Sequence, residues 1–362
     1  MPRFFSKLKS APSSEKPQNK EINKEKAELS SVTSNGANSQ PQIRIASVYT
    51  NGRRFQAYKD CTYILPKDDA AASSALDYKK RFGQVGESTT SLHSVCSPIE
   101  DELEKGIKVL DAGCGGGTWD LVSIRPAPTL FQPEILIKFT GLEISSTWPT
   151  EIRPHNCNFV VGNLVHELPF EENSFDFVIM RLVGMGIPNE QCATVLSHLY
   201  KVLKPGSWIE LVEVRFVEFR LITYHTCSFS YSLYFWCLMD GEQVYRGEKT
   251  TLHYNAVQQY LKTRGFKDGI VREIDLKLSD TGYVNINGMK NRIPVGGWGG
   301  KLGEVFLEDV MSAYKSLRPV TQPILNFNDE QFQELLDTVP KGSNEVKQEV
   351  NLFMNWAQKP AN

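Results

Sequence analysis

The sequence predicts an α/β fold in which helices cover both faces of a mostly parallel sheet. The first observation is the apolar run from Ile107 to Leu110, which ends at Asp111 and a glycine-rich turn. The second is the alternation, after this turn, of short apolar runs with longer amphipathic segments. Strands that alternate with helices form parallel sheets, because each crossover returns the chain to the same end of the sheet. The chain has 362 residues, enough for one large domain or two small ones.

Five strands and four helices follow from the pattern. Apolar runs bounded by turn residues predict strands at 107–111, 137–143, 158–161, 175–180 and 207–217, and amphipathic segments predict helices at 99–105, 117–123, 189–203 and 253–264. An earlier helix is predicted at 68–82, where Asp68 or Asp69 can cap its first turn. The residues Lys204-Pro205-Gly206 predict a turn before the fifth strand.

Two further segments, a loop and a strand, are predicted from the sequence. Prolines at 126, 128 and 133 interrupt the stretch after the first crossover, so a loop insertion is expected there. Residues 275–280 are interpreted as a late strand that completes the sheet.

Composition excludes several classes of protein. Hydrophobic residues make up 41% of the chain and aromatic residues 10%, as in a globular protein with a full core. The formal net charge of −2 gives no sign of a nucleic-acid binder, which usually carries a basic patch. The seven cysteines form no Cys-x-x-Cys pair and no zinc-type spacing, so no metal site is expected. Unpaired cysteines suit a reducing compartment, and a cytoplasmic location is expected. The nucleus is an alternative only through the family resemblance given below.

The N-terminal residues and one uncharged segment were assessed for possible membrane binding or insertion. Residues 1–45 are rich in Ser, Lys, Glu, Asn and Gln, which predicts a disordered tail without the apolar core of a secretory signal. The basic and apolar start, residues 3–9, is either part of this solvated tail or a weak membrane-binding or partner-binding element. Residues 221–239 lack charged side chains, but they contain several polar ones, so a buried or cleft-lining helix is favoured over a membrane span. No stable membrane insertion is expected.

The glycine turn carries the functional information. The pattern is Asp-x-Gly-x-Gly-x-Gly, from Asp111 to Gly117. A phosphate-binding P-loop needs a Lys after its glycines, and none follows here. A dinucleotide fingerprint fails by one residue, because Thr118 stands where its last glycine belongs. An Asp at the strand end repels a pyrophosphate but attracts an ammonium group, so a ligand with a positive charge is favoured over a nicotinamide dinucleotide.

Three further strand ends supply candidate binding residues. Glu143 ends the second strand, where a carboxylate can accept both hydroxyls of a ribose. Asn163 follows the third strand and can pair with an adenine edge while Leu164 packs on the ring. Arg181 ends the fourth strand. The alternatives remain open: Asp111 as a cap, the glycines as a tight corner, Glu143 as a solvated strand end, Asn163 as a turn residue and Arg181 as a surface ion-pair partner.

These elements, in this order, resemble the class I S-adenosylmethionine-dependent methyltransferases. The resemblance covers residues 107–215 and includes the segment Leu203-Lys204-Pro205-Gly206-Ser207-Trp208-Ile209-Glu210. It implies a Rossmann-like, seven-stranded methyltransferase sheet. It also implies cofactor roles: Glu143 for the ribose, Asn163 for the adenine although the class more often has Asp there, Arg181 for the cofactor carboxylate, and Asp111 with Gly113, Gly115 and Gly117 for the methionine part. Cys114, Ile144 and Leu164 complete the implied set.

The flanks narrow the resemblance. Residues 63–68 (Tyr-Ile-Leu-Pro-Lys-Asp) and 292–298 (Arg-Ile-Pro-Val-Gly-Gly-Trp) are similar to the fungal methyltransferase-domain family that includes velvet-associated regulators of secondary metabolism. The resemblance implies a methyltransferase domain over residues 46–362. Its cofactor-binding core is expected at about 100–217, with acceptor-side elements at 46–99 and 218–362.

The acceptor is not identified by the sequence. The resemblance links an Asn-Pro-Pro-Tyr signature to methylation of planar amino groups. This signature is absent, and Met180-Arg181-Leu182-Val183 stands in its place, so nucleic-acid bases are not expected acceptors. No catalytic base is assigned, and an amine or thiol acceptor that is already partly deprotonated needs none. The acceptor-side candidates are Tyr63, His225, Trp236 and Trp298. The leading hypothesis is methyl transfer to a small molecule or protein; the alternative is a cofactor-binding regulator or scaffold with protein partners and little or no activity.

Overall fold

The structure is a computed structural model that describes residues 47–50, 53–56, 95–117, 137–146, 148, 154–215, 237–239, 242–244, 248–266 and 273–362. Several predictions therefore lie outside the described residues. They are the tail at 1–45, the helix at 68–82, the helix at 117–123 beyond its first residue, the proline-containing loop, and residues 221–236 of the uncharged segment.

The elements follow one another in this order. They are β1 (Ser47–Thr50), β2 (Arg53–Gln56), α1 (Glu100–Lys105), β3 (Lys108–Ala112), β4 (Lys138–Glu143), β5 (Cys157–Val161), β6 (Phe175–Arg181), α2 (Cys192–Val202), β7 (Leu203–Arg215), β8 (Cys237–Met239), β9 (Glu242–Val244), α3 (Glu248–Thr263), α4 (Ile274–Thr281), β10 (Val284–Pro294), α5 (Gly300–Leu325), α6 (Asp329–Glu345) and β11 (Glu349–Gln358). Short 3₁₀ turns stand at Gly184–Gly186, Asn189–Gln191 and Gly297–Gly299.

Seven strands form the main sheet in the order β10-β11-β7-β6-β3-β4-β5. The ladders from β5 across to β7 are parallel, and β11 is antiparallel to both β7 and β10. Only β11 therefore runs against the other six strands. The mostly parallel, Rossmann-like sheet predicted from the sequence is confirmed, and it brings the carboxyl ends of β3, β4, β5 and β6 to one edge.

Both faces of the sheet are buried under helices. One core cluster joins Leu110, Val178 and Ile209 to apolar residues of α2 and α4. The opposite face carries Val109 and Phe177 in a second cluster that includes Ile99, at the start of α1. Because successive strand residues point to opposite faces, the apolar runs of the sequence fill both layers. A third cluster packs α5 against β7, β10 and β11.

Most predicted boundaries agree with the structure to within a few residues. The fifth strand begins earlier than predicted, at Leu203, so the Lys-Pro-Gly segment lies inside β7. Its register with β6 is irregular there, because Phe175 pairs with Leu203 but Phe177 pairs with Trp208. Between these pairs β7 therefore has three more residues than β6. The unpaired residues include the predicted Lys-Pro-Gly turn, which lies within a continuous strand.

The prediction of a strand at 275–280 is wrong, because these residues form most of helix α4. The strands that complete the sheet are β10 and β11 instead. The helix predicted at 221–239 is wrong at its end, where Cys237–Met239 is a strand. Among the helices that the structure describes, none has the length and apolar character needed to cross a membrane.

Candidate functional site

A buried ion pair joins the ends of two neighbouring strands. Asp111 lies near the end of β3 and Arg181 ends β6, and the Arg181 Nη2 donates to Asp111 Oδ2 at 2.9 Å. The Asp111 side chain is 1% exposed and the Arg181 side chain 13% exposed. The second carboxylate oxygen, Asp111 Oδ1, is buried and has no hydrogen-bond partner among the described residues. It is therefore an acceptor that the described protein groups leave available.

The glycine turn follows β3 directly. Gly113, Gly115 and Gly117 have φ angles of +81°, +57° and +70°, a region that residues with a Cβ rarely adopt. The backbone N–H groups of Gly113 and Cys114 both donate to Leu142 O, at 2.7 and 3.0 Å, which ties the turn to β4.

Packing against neighbouring side chains is a second reason why two of these positions require glycine. A Cβ on Gly113 would lie 2.6 Å from Val183 Cγ2, and a Cβ on Gly117 would lie 2.4 Å from the Phe159 ring. Protein side chains fill both places. The fold thus requires glycine at these two positions. From the sequence, glycine was expected there because it gives a ligand access to the backbone. Cys114, between the first two glycines, is buried in the core.

Glu143 ends β4 and contacts the same turn. Its Oε2 accepts the Gly115 N–H at 2.9 Å, and its Oε1 accepts the Ile144 N–H at 2.8 Å. Burial raises the pKa of Glu143, the N–H groups of Gly115, Ile144 and Ser145 oppose this rise, and the negative charge of Asp111 adds to it. These three N–H groups leave about one of the four lone-pair sites of the carboxylate available to a further donor.

Asn163 combines a local role with a free donor. Its Oδ1 accepts the Val165 N–H at 3.2 Å, which supports the turn interpretation. Its Nδ2 is buried and has no hydrogen-bond partner among the described residues, so it remains available to a ligand acceptor. The next side chain, Leu164, is buried in the core cluster that includes Leu142 and Leu168.

Of the acceptor-side candidates, only Trp298 belongs to the described residues; Tyr63, His225 and Trp236 lie outside them. Trp298 stands in the 3₁₀ turn between β10 and α5 and is 36% exposed. Its Nε1 donates to Val295 O at 3.2 Å and to Gln348 O at 3.3 Å. Because β10 runs parallel to β7, this turn lies at the same edge of the sheet as Asp111 and Glu143. Its contact with an acceptor remains a prediction.

Sequence reasoning missed Glu213, on β7. This buried carboxyl accepts the N–H groups of Val183 and Gly184, and burial raises its pKa to about 8. The available signal was a pair of acids, Glu210 and Glu213, inside an otherwise apolar strand segment, residues 209–214. The described residues contain no group of three His, Cys, Asp or Glu side chains placed to hold a metal ion.

Comparison with known families places the site in context. Residues 109–206 match a family described as a methyltransferase domain. The matched segment runs from β3 to the start of β7 and contains the glycine turn, Glu143, Asn163 and Arg181.

Named relatives are also methyltransferases. The N-methyltransferase verN of Clonostachys rogersoniana is 26% identical over 274 residues, which cover 74% of this chain and 83% of that protein. The demethylmenaquinone methyltransferase of Listeria monocytogenes is 34% identical over 119 residues, and the match spans only 46% of its length. Among solved structures, Haemonchus contortus phosphoethanolamine N-methyltransferase 2 with S-adenosyl-L-methionine shows 16% identity, with coverage of 78% of this chain and 52% of that chain and a TM-score of 0.42. A structural similarity this low does not identify a function for this chain.

The chain therefore contains a methyltransferase domain over residues 109–206, and the sheet order and the glycine turn agree with an S-adenosylmethionine-dependent methyltransferase. S-adenosylmethionine is the cofactor of this domain.

Proposed function

We propose that this protein transfers the methyl group of S-adenosylmethionine to a nitrogen atom of a small-molecule acceptor. The observation that carries the cofactor half of the proposal is the meeting, at one sheet edge, of the Asp111–Arg181 pair, the glycine turn and Glu143. The acceptor half is supported by the similarity to verN.

The residues at this edge fit the methionine part of the cofactor. That part carries an ammonium and a carboxylate. Asp111 Oδ1, buried and without a hydrogen-bond partner among the described residues, would accept from the ammonium. The Arg181 guanidinium, with its fork of N–H donors, would bind the carboxylate. Opposite charges held side by side in the protein thus match opposite charges on the ligand.

The adenosine part has its own partners. Glu143 would accept a ribose hydroxyl through its remaining lone-pair site, while its three backbone N–H donors keep the carboxylate in place. Asn163 would donate through Nδ2 to a ring nitrogen of adenine, and its bond to Val165 fixes the direction of the amide.

Bound S-adenosylmethionine would supply an electrophilic methyl group on a positively charged sulfur. The contribution of the chain is to hold the donor in line with an acceptor, and such positioning supplies much of the acceleration in a displacement reaction. A neutral amine already carries the lone pair that attacks, so it needs no fixed base. This agrees with a sequence in which no catalytic base is assigned.

The extent of the similarity to verN favours a nitrogen acceptor over other acceptor atoms. The verN alignment covers 74% of the chain and so reaches well beyond the methyltransferase domain at 109–206. The demethylmenaquinone methyltransferase match covers 31% of the chain, about the size of that domain alone. Fungal secondary metabolism is a setting that the verN similarity supports. None of the comparisons supports the alternative of a regulator without methyl transfer.

Calorimetry tests the cofactor half. The purified protein is titrated with S-adenosylmethionine and with S-adenosylhomocysteine, and binding of both is expected. Glu143→Gln should weaken binding about tenfold or more, because its amide NH₂ would face at least one of the backbone N–H donors that hold the carboxylate. Glu171→Gln, at an exposed acid outside the site, is the matched control. Failure of the unaltered protein to bind either compound would refute the proposal.

Methyl transfer tests the acceptor half. The enzyme is incubated with isotopically labelled S-adenosylmethionine and a panel of small-molecule amines, phenols and thiols, and products are located by mass spectrometry. A labelled N-methyl product is expected. Label found only on oxygen, on sulfur or on added protein would contradict the assignment of a small-molecule nitrogen.

A further inference from the structure

The loop that follows β6 begins with a strained residue beside the cofactor site. Leu182 has a φ angle of +56°, in the left-handed region that bulky side chains avoid. Its N–H donates to Val212 O at 2.8 Å, which fixes the peptide in this orientation. Strained residues persist only where their surroundings hold them, and such positions cluster at functional sites.

Glu213 is the side chain that holds the next two residues. Its Oε1 accepts the N–H groups of Val183 and Gly184, each at 2.9 Å. The carboxyl also packs on the backbone, because a Cβ added to Gly184 would lie 2.9 Å from Glu213 Oε2. Glu213 is 8% exposed, so water has little access with which to replace these bonds.

The same loop reaches the cofactor site at two points. The Val183 side chain occupies the space that a Cβ on Gly113 would fill. Arg181, immediately before Leu182, is paired with Asp111. A displacement of the loop would therefore disturb both the glycine turn and the ion pair.

We propose that Glu213 is a positioning residue for cofactor binding: it fixes the loop of residues 182–186 against the glycine turn. This inference rests on the proposed use of Asp111, Arg181 and the turn as a cofactor site. Glu213 lies outside residues 109–206, so the methyltransferase-domain match does not include it. It acts through the loop and touches none of the reacting atoms.

Three variants test the inference, each read by two measurements. The measurements are the dissociation constant of S-adenosylhomocysteine by calorimetry and hydrogen exchange of the backbone amides of residues 182–186. Glu213→Ala should weaken binding about tenfold or more and accelerate exchange at Val183 and Gly184. Glu213→Gln keeps an acceptor oxygen at the same reach, so it should restore binding to within about threefold of the unaltered protein.

Gly184→Ala supplies the third test without removing the carboxyl. Its methyl group would crowd Glu213 Oε2, and Gly184 is not among the glycines with positive φ, so the methyl is the main disturbance. Weaker binding and faster exchange in the loop are expected, even if Glu213→Ala fails to fold. Wild-type affinity in folded Gly184→Ala together with faster loop exchange would overturn the inference.

A control separates positioning from general stability. Lys359→Met is expected to lower the stability of the fold at a place remote from the site, where Lys359 bonds Tyr200 and Leu203 carbonyls. Its affinity for S-adenosylhomocysteine should stay unchanged. An equal loss of affinity in Lys359→Met and Glu213→Ala would reduce Glu213 to an ordinary structural residue and overturn the inference. Failure of the unaltered protein to bind would instead refute the proposed function, and the exchange measurement would still show whether Glu213 holds the loop.

Discussion

At the scale of single residues, Asp111 has both a structural and a proposed binding role. A buried carboxylate needs a partner, because removing a charge from water is costly. Arg181 provides that partner for one oxygen, at 2.9 Å, and the other oxygen has none among the described residues. The fold therefore tolerates an incompletely satisfied acceptor at the place where the proposed ligand brings an ammonium group.

Asp111→Asn tests this role. The substitution keeps the shape of the side chain but removes its charge, which weakens the contact to Arg181 and the proposed contact to the cofactor ammonium. We expect the affinity for S-adenosylmethionine, measured by calorimetry, to fall about tenfold or more, since charge-assisted hydrogen bonds are about twice as strong as neutral ones. The control is Asp176→Asn, which alters another paired aspartate, bound to Lys204 and remote from the site. Unchanged affinity in Asp111→Asn would exclude Asp111 from the cofactor site.

Residues that stand at strand ends could be predicted from the sequence. Asp111 and Glu143 follow apolar runs, and neighbouring parallel strands bring their carboxyl ends together, so their proximity required no knowledge of the full fold. Glu213 could not be predicted in this way. Its bonds to Val183 and Gly184 join residues 30 and 29 positions apart, and they depend on the register between β6 and β7.

At the scale of elements, helix α4 shows why one prediction failed. Ile274, Leu276 and Leu278 alternate with polar residues, which is typical of a strand. In the structure, Ile274 and Leu278 are buried one helical turn apart, while Leu276 is 66% exposed. The missed signal was Gly282, whose φ of +101° ends the helix and whose N–H bonds to Leu278 O.

The two strands that complete the sheet could not be predicted from the sequence either. β10 and β11 are separated by helices α5 and α6, so nothing local indicates that they pair. Strand β11 is inserted between β7 and β10 and has neighbours on both sides. Only the tertiary fold determines that order, whereas the alternation of residues 107–215 was sufficient to predict strands β3 to β7 and their parallel direction.

Helix α2 ends against a lysine from the far end of the chain, and this contact allows a prediction about stability. Lys359 Nζ donates to Asn173 Oδ1, Tyr200 O and Leu203 O, each at 2.8 Å, and lies 4.6 Å from the centre of the Tyr200 ring. A cation at a helix C-terminus also interacts favourably with the carbonyl dipoles. Lys359→Met should lower the free energy of unfolding by about 1–2 kcal/mol, as measured by urea denaturation.

Lys341→Met is the matched control for this measurement. Lys341 is exposed, and its ion pair among the described residues is with Glu345, one turn away, at 3.8 Å. Exposed pairs of this kind contribute little, so the change should stay within about 0.5 kcal/mol. Equal effects of the two substitutions would show that the contacts of Lys359 add nothing to stability.

At the scale of the whole molecule, a layer of three helices surrounds one buried histidine. His253 of α3 is fully buried and stacks on Tyr314 of α5, with 3.8 Å between ring centres. Its Nε2 lies 3.2 Å from Thr321 Oγ1, also on α5, and its ring meets the edge of Phe332 from α6. One buried imidazole therefore lies where α3, α5 and α6 pack together, and its protonation should affect the stability of the whole layer.

His253 makes the stability of the protein depend on pH with a definite sign. Burial lowers the pKa of His253 from 6.5 to about 3, so the folded state excludes a proton that the unfolded chain binds. The stabilising contribution is fully present above about pH 6.5 and is lost as the pH falls toward 3. Between pH 7 and pH 5 this group alone should lower the free energy of unfolding by about 2 kcal/mol. His253→Gln removes the titration, so its stability should fall less over this interval than that of the unaltered protein, as measured by urea denaturation at both pH values. The carboxylates and the other histidines titrate in both proteins. The difference between the pH dependences of their free energies of unfolding therefore isolates the contribution of His253. Parallel slopes would show that the imidazole is protonated, or accessible to water, within the folded helical layer.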